Sequence, residues 1–195
     1  SLYKKTETNT PNLGQTSEGP TEVQSELEEG VVLYKGKKYR YNDENLNFLC
    51  LGIDLEDLDE TAERFGGGGQ ADTIFLLSLD TRNQRMRILA IPRDTITEIE
   101  VYKADGEFLG TSKEQLSTQY SYGDGKEQSC ELMVRAVSNL LYQLPIHGYC
   151  AIDMRAIGPL NRTVDSVEVT IEEDMTAADP AFQKGAKIRL TDRQA

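Results

Sequence analysis

With 195 residues, 38% of them apolar and including five Phe and nine Tyr, the chain is long enough to bury one sizeable core and carry a tail. Its 33 acidic residues outweigh 21 basic ones, for a formal charge of -12. A surface of that sign repels a phosphate backbone, so no nucleic-acid partner is expected, and an anionic substrate would need local arginine, a carboxylate-bound cation, or both.

Residues 1–30, rich in Thr, Glu, Gly, Pro, Asn and Gln, have the composition of a disordered acidic linker, and the folded domain is expected over 31–195. No run in the chain approaches the roughly 20 apolar residues that span a bilayer, and Ser1 rather than Met at the start suggests a removed upstream segment. Residues 31–41 predict a hairpin turning at Gly36 and capping a sheet edge.

Residues 47–54, Asn-Phe-Leu-Cys-Leu-Gly-Ile-Asp, form a short apolar run ending in a carboxylate and predict a buried strand. The connection that follows contains Gly66, Gly67, Gly68 and Gly69, too flexible for regular structure and of a length usually found in functional or disordered loops. Residues 73–79 and 86–91 predict an antiparallel hairpin across a polar turn at 80–84.

Ser112-Lys113-Glu114-Gln115 has the form of a capping box, predicting a helix through Leu116 and Tyr120 that ends at Gly123. Cys130, Met133, Val134, Val137, Leu140, Leu141 and Leu144 keep a 3.6-residue period, predicting a helix over 128–144 stopped by Pro145. Strands at 149–152 and 167–171 should flank a short helix near 154–164, broken at Pro159. Mixed strands and helices indicate an α/β layered domain. Cys50, Cys130 and Cys150 include no C-x-x-C pair and each lies in an apolar run, which excludes a zinc ribbon or disulfide scaffold and predicts buried thiols.

Counting along the hairpin suggests where chemistry could gather. Asp72 and Arg93 are equidistant from the turn centre between Arg82 and Asn83, so a hairpin without a bulge sets them opposite each other. An antiparallel first strand would bring Asp54 to the same edge. Two carboxylates can hold Mg²⁺ with positions left for phosphate oxygens, and Arg can bind a phosphate with two donors. The same spacing also suits loop-capping carboxylates neutralised by Arg93. The other candidates are weaker. The glycine run lacks the Lys-Ser or Lys-Thr of a P-loop, His147 reads as a turn residue, and Tyr120, Tyr122 and Tyr149 could stack on sugars but suit the core.

Residues 47–54, then Ala71-Asp72-Thr73-Ile74, Ile91-Pro92-Arg93-Asp94-Thr95 and Tyr120-Ser121-Tyr122-Gly123 resemble, in that order, the pattern of the LytR-CpsA-Psr family. The likeness continues through Ala151-Ile152-Asp153-Met154 and Val167-Glu168-Val169 to residues 190–195. It implies a central mixed β-sheet flanked by helices on both faces. It also implies a phosphotransferase that moves teichoic acid, capsule or similar glycopolymers from a polyprenyl-pyrophosphate carrier to peptidoglycan, on the extracellular face of the bacterial membrane and anchored by an N-terminal helix.

By the same resemblance, Asp54 and Asp72 match Mg²⁺-binding aspartates and Arg93 matches an arginine that grips the pyrophosphate, giving Arg93 and Asp72 catalytic roles. Gln70 and Asp94 flank that site on the substrate side, and Phe75 and Leu77 are expected near a cavity for the polyprenyl tail. Many members carry Arg where this chain has Gln70-Ala71, and Gly-Gly where it has Asp165-Ser166. The family's later arginine-rich segment falls beyond Ala195, so the chain is expected to be truncated relative to the family. A non-catalytic module binding polyprenyl phosphates or wall polymer is the alternative reading. Transcription attenuation conflicts with the net charge and the lack of a DNA-reading element.

Overall fold

The computed structural model describes residues 3–6, 30–55 and 68–195. In chain order, β1 (Tyr3–Thr6) and the hairpin β2 (Val31–Tyr34) and β3 (Lys37–Arg40) precede β4 (Asn45–Ile53), β5 (Ala71–Asp80) and β6 (Arg85–Ala90). A second hairpin, β7 (Ile96–Tyr102) and β8 (Phe108–Gln115), leads through a 3₁₀ helix (Leu116–Tyr122) into α1 (Glu127–Leu140). Then follow β9 (Gly148–Ile152), a 3₁₀ turn (Met154–Ala156), α2 (Ile157–Thr163), β10 (Glu168–Thr170) and β11 (Lys187–Arg189). No helix among the described residues is long and apolar enough to cross a membrane.

Five strands form the central mixed sheet, in the order β1-β9-β4-β5-β6. β4 pairs antiparallel with β5 and parallel with β9. The parallel pairing needs a crossover, and the chain between β4 and β9 supplies α1. Four residues of the segment expected to be a linker, Tyr3–Thr6, pair antiparallel with β9 and add an edge strand. The rest of that segment, like most of the glycine-containing connection, lies outside the described residues.

The two faces of the sheet differ. β4 alternates strictly, with Leu49, Leu51 and Ile53 buried. These pack with Ile74, Leu76, Tyr149 and Ala151 against Cys130, Met133 and Val137 of α1 and against Leu116 and Tyr120 of the 3₁₀ helix. The period-2 and period-3.6 patterns meet there, and burying so many aliphatic side chains stabilises each by roughly 1.5–3 kcal/mol. On the other face Cys50, Phe75 and Ile152 are half-buried and meet Ile157 and Leu160 of α2. Helices thus lie on both faces.

The β5–β6 hairpin has the counted register, with Phe75 opposite Ala90 and Asp80 opposite Arg85. Asp80 closes its turn by accepting hydrogen bonds from the Asn83 backbone (2.9 Å) and side chain (2.9 Å).

Several expectations are corrected. The hairpin at 31–41 forms, with Lys35 and Gly36 at φ 48° and 74°, but it does not cap the sheet edge. All four β3 residues are exposed and offer no apolar face to the sheet. Instead the Tyr34 ring meets Tyr142 edge-on at 5.7 Å and the Tyr41 hydroxyl donates to the Leu141 carbonyl at 2.8 Å, docking the hairpin on the end of α1. The capping-box segment is not a helix start. Ser112 sits in β8 opposite Ile99, and the helical turn begins only after Gln115, which makes no side-chain cap. Pairing with β7, whose Ile-Thr-Glu-Ile-Glu-Val-Tyr alternation went unread, overrides the local signal.

α1 stops at Leu140, short of Pro145, because the chain turns out in a Schellman motif. Tyr142 takes φ 59°, with Gln143 N–H bonded to Ser138 O (2.8 Å) and Tyr142 N–H to Asn139 O (3.2 Å). Pro159 does not break α2: it is the third residue, within the first turn, where a missing N–H costs no helical bond. The strand expected at 167–171 is β10, which pairs with β11 apart from the central sheet. Asp165 and Ser166 both have positive φ, 59° and 64°, a backbone conformation that glycine adopts at no steric cost.

Candidate functional site

Asp54 leaves the C-terminal end of β4 just past a register shift between Gly52 and Ile53. Its Oδ1 accepts the Gln70 N–H at 2.6 Å, and its own N–H donates to Gln70 O at 3.2 Å. Gly69 makes this fold-over possible: it has φ +73°, and a Cβ there would lie 2.7 Å from Asp54 Oδ1. Gly68 approaches the Gly125 backbone so closely that its Cβ would sit 2.4 Å from the Gly125 Cα. The glycines that sequence marks only as flexible are, at these two positions, demanded by contact.

Asp72, on β5, faces Arg93 across the continued ladder, with Arg93 Nη1 at 2.5 Å from Asp72 Oδ1. Both side chains stay open to solvent, 40% and 47% exposed, so the pair contributes little to stability and remains accessible to a ligand. Arg93 lies in a turn closed by Thr95 N–H to Pro92 O (3.0 Å) and held from below by Ser117 N–H to Arg93 O (3.1 Å) and Leu116 N–H to Thr95 O (2.8 Å). Asp94 Oδ1 lies 3.8 Å from Arg93 Nε and accepts from Gln115 Nε2 at 3.1 Å.

The β7–β8 hairpin that follows the Arg93 turn is fixed to α1. Arg135 grips Glu100 with two bonds, Nε to Oε1 at 2.7 Å and Nη2 to Oε2 at 2.9 Å, and the Tyr102 hydroxyl donates to Oε2 at 2.6 Å. The buried Gln119 amide bridges both backbone groups of Glu100, at 2.8 and 2.9 Å. Burial raises the Glu100 carboxyl, but the Arg135 and Tyr102 bonds outweigh it and leave it below the usual glutamate value.

Asp54, Asp72 and Phe75 line a single open cleft of about 400 Å³ with Gly52, Ile152, Ile157 and Leu160. The cleft is mostly apolar with carboxylates at one end. Leu77 lies on the same strand face as Phe75 by alternation, farther from the carboxylates, and is not in the cleft wall. Gln70 contributes its backbone to Asp54. Asp153, 2% exposed, also borders the cleft and caps the following turn through Ala156 N–H at 3.0 Å.

No group of three His, Cys, Asp or Glu side chains that could hold a metal ion occurs among the described residues. A cage built wholly from protein is therefore absent there. Two carboxylates on one cleft nevertheless fit Mg²⁺, which keeps waters and takes one or two carboxylates plus substrate phosphates.

Two of the three thiols depart from expectation. Cys130 is fully buried, and burial pushes it up to about 12. Cys50 and Cys150 are only half-buried, are register partners on β4 and β9, and both line the cleft. Their thiols are hydrogen-bonded: Cys150 is held low by the Cys50 thiol and the Leu51 backbone, and Cys50 is pushed up. Strand alternation could have aligned these two cysteines, had the parallel pairing of β4 and β9 been foreseen.

A family model described as LytR_cpsA_psr family matches residues 5–195. The polyisoprenyl-teichoic acid–peptidoglycan teichoic acid transferase TagU of Bacillus cereus (strain AH820) is 29% identical over 153 residues, covering 78% of this chain and 43% of TagU. The corresponding transferase TagV of Bacillus subtilis (strain 168) is 29% identical over 127 residues, covering 65% of this chain and 28% of TagV. The crystal structure of B. subtilis TagV superposes with a TM-score of 0.52 at 23% identity, over 79% of this chain and 54% of that one. Protein gbs0355 from Streptococcus agalactiae gives 0.57 at 18% identity, over 77% and 50%. The fold is shared, and the chain spans less than half the length of the TagU relative it matches.

Proposed function

Because the chain belongs to the LytR-CpsA-Psr family, we propose that it forms part of a phosphotransferase attaching a glycopolymer, teichoic acid or a related polymer, from a polyprenyl-pyrophosphate carrier to peptidoglycan. The names of its TagU and TagV relatives support the substrate class. The observation that carries the reading is the apolar cleft with Asp54 and Asp72 at its mouth and Arg93 bonded to Asp72.

In this reading Phe75, Ile152, Ile157 and Leu160 take the first prenyl units and exclude water from the lipid. Arg93 keeps Nη1 on Asp72 and turns its remaining donors to pyrophosphate oxygens, where they offset charge developing on the polyprenyl phosphate leaving group. Asp94, held by Gln115, limits where that guanidinium can swing. Asp54 and Asp72 would hold Mg²⁺, which when bound supplies further charge neutralisation at the phosphates. Anchoring at the outer face of the membrane through a preceding helix belongs to the same proposal.

A module that binds the lipid-linked polymer without transferring it is the second reading. It is favoured by Gln70, which follows the glycines beside Asp54 and brings no positive charge where the family resemblance implies an Arg. Thermal-shift binding of a polyprenyl pyrophosphate with and without Mg²⁺ tests both. Stabilisation that needs Mg²⁺ and is lost in Arg93→Ala and Asp72→Ala is expected. No shift in the unsubstituted protein would overturn both readings, and binding without polymer transfer would select the second.

A further inference from the structure

We infer that Cys50 and Cys150 form a redox-active dithiol that closes to a disulfide across β4 and β9 in the wall of the apolar cleft. The two residues are direct partners in a parallel ladder, so their side chains project from the same face. Neighbouring strands lie about 4.8 Å apart, inside the roughly 4.4–6.8 Å range of Cα separations that a disulfide spans. Both residues line the open cleft, which gives a small oxidant a path to the sulfurs. Cys130 has neither property: it is 0% exposed and sits on α1, packed against the opposite face of the sheet.

The oxidant is a low-molecular-weight disulfide or a thiol–disulfide oxidoreductase. The Cys150 thiolate attacks one sulfur of the external disulfide, forming a mixed disulfide and releasing one thiolate, which takes up a proton. Cys50 then loses its proton and attacks Cys150 Sγ, expelling the second thiolate. Two protein thiols and one external disulfide become one protein disulfide and two external thiols, so atoms and electrons balance. The thiol contact suits this order, because the Cys50 S–H stabilises a negative charge on Cys150, which therefore attacks first.

The test equilibrates the full chain with oxidised glutathione, blocks remaining thiols with N-ethylmaleimide and maps the peptides by mass spectrometry. The expected result is a linked Cys50–Cys150 peptide pair, lighter by two hydrogens than the reduced pair and reversed by dithiothreitol, with Cys130 alkylated only after unfolding. Cys130→Ala should give the same bridge. Recovery of Cys50 and Cys150 both alkylated, or as two separate glutathione adducts, would overturn the inference. Neither readout involves the prenyl ligand, so the result stands apart from the proposed activity.

Discussion

Arg93 Nη1 lies 2.5 Å from Asp72 Oδ1, and the two residues are register partners in the continuation of the β5–β6 ladder beyond its last paired residues. An exposed pair of this kind contributes under about 1 kcal/mol to folding. Arg93→Ala and Asp72→Asn are therefore expected to shift the urea unfolding free energy by less than about 1 kcal/mol while removing Mg²⁺-dependent binding of a polyprenyl pyrophosphate. A loss of several kcal/mol would instead make the pair a structural clasp.

Gly69 and Gly68 separate site from scaffold. Gly69→Ala forces a Cβ against Asp54 Oδ1 at positive φ, so about 1–2 kcal/mol of strain is expected together with loss of ligand binding. Gly68→Ala sets backbone against backbone at Gly125, and destabilisation of about 1–3 kcal/mol is the expected outcome. Thermal melts with and without the ligand distinguish the two.

Glu100 should make the fold acid-sensitive. Its carboxyl is lowered in the folded state, so its contribution is fully present above the unfolded value near 4.5 and fades as pH falls through the folded value below that. The stability gap between the parent chain and Glu100→Gln should be widest near neutrality and narrow below about pH 4. Denaturant curves across pH give the readout, and a gap that widens on acidification would refute the assignment.

Ser166→Gly should stabilise the chain by about 1 kcal/mol, since Ser166 holds φ 64°. Its hydroxyl makes only a 3.5 Å contact with Asn161, and the firmer bonds of Asn161 to Leu190 O and Val167 N–H do not involve it. An unchanged melting temperature would show that the turn carries no strain.

Most of the sheet was legible because its central strands are short apolar runs bounded by polar turns, and the turn at Asn83 sits where simple counting could set Asp72 against Arg93. What escaped was non-local. β7 and β8 are amphipathic and half-exposed, with Ser112 and Gln115 mimicking a capping box, and only their pairing and the Glu100–Arg135 bond to α1 make them strands. Cys50 and Cys150 became neighbours only through a parallel ladder closed across 100 positions of sequence, which no local pattern encodes.

That ladder also bears on how the molecule reaches its native state. β5 and β6 meet across a short turn, and β4 and β5 are consecutive, whereas β9 must wait for a long loop to close before it can add to β4. Asp54, Asp72 and Arg93 all ride on the early-pairing segment. The charged mouth should thus assemble ahead of the apolar wall that β9 contributes, and pulse-labelled hydrogen exchange during refolding should protect β5 amides before those of β9.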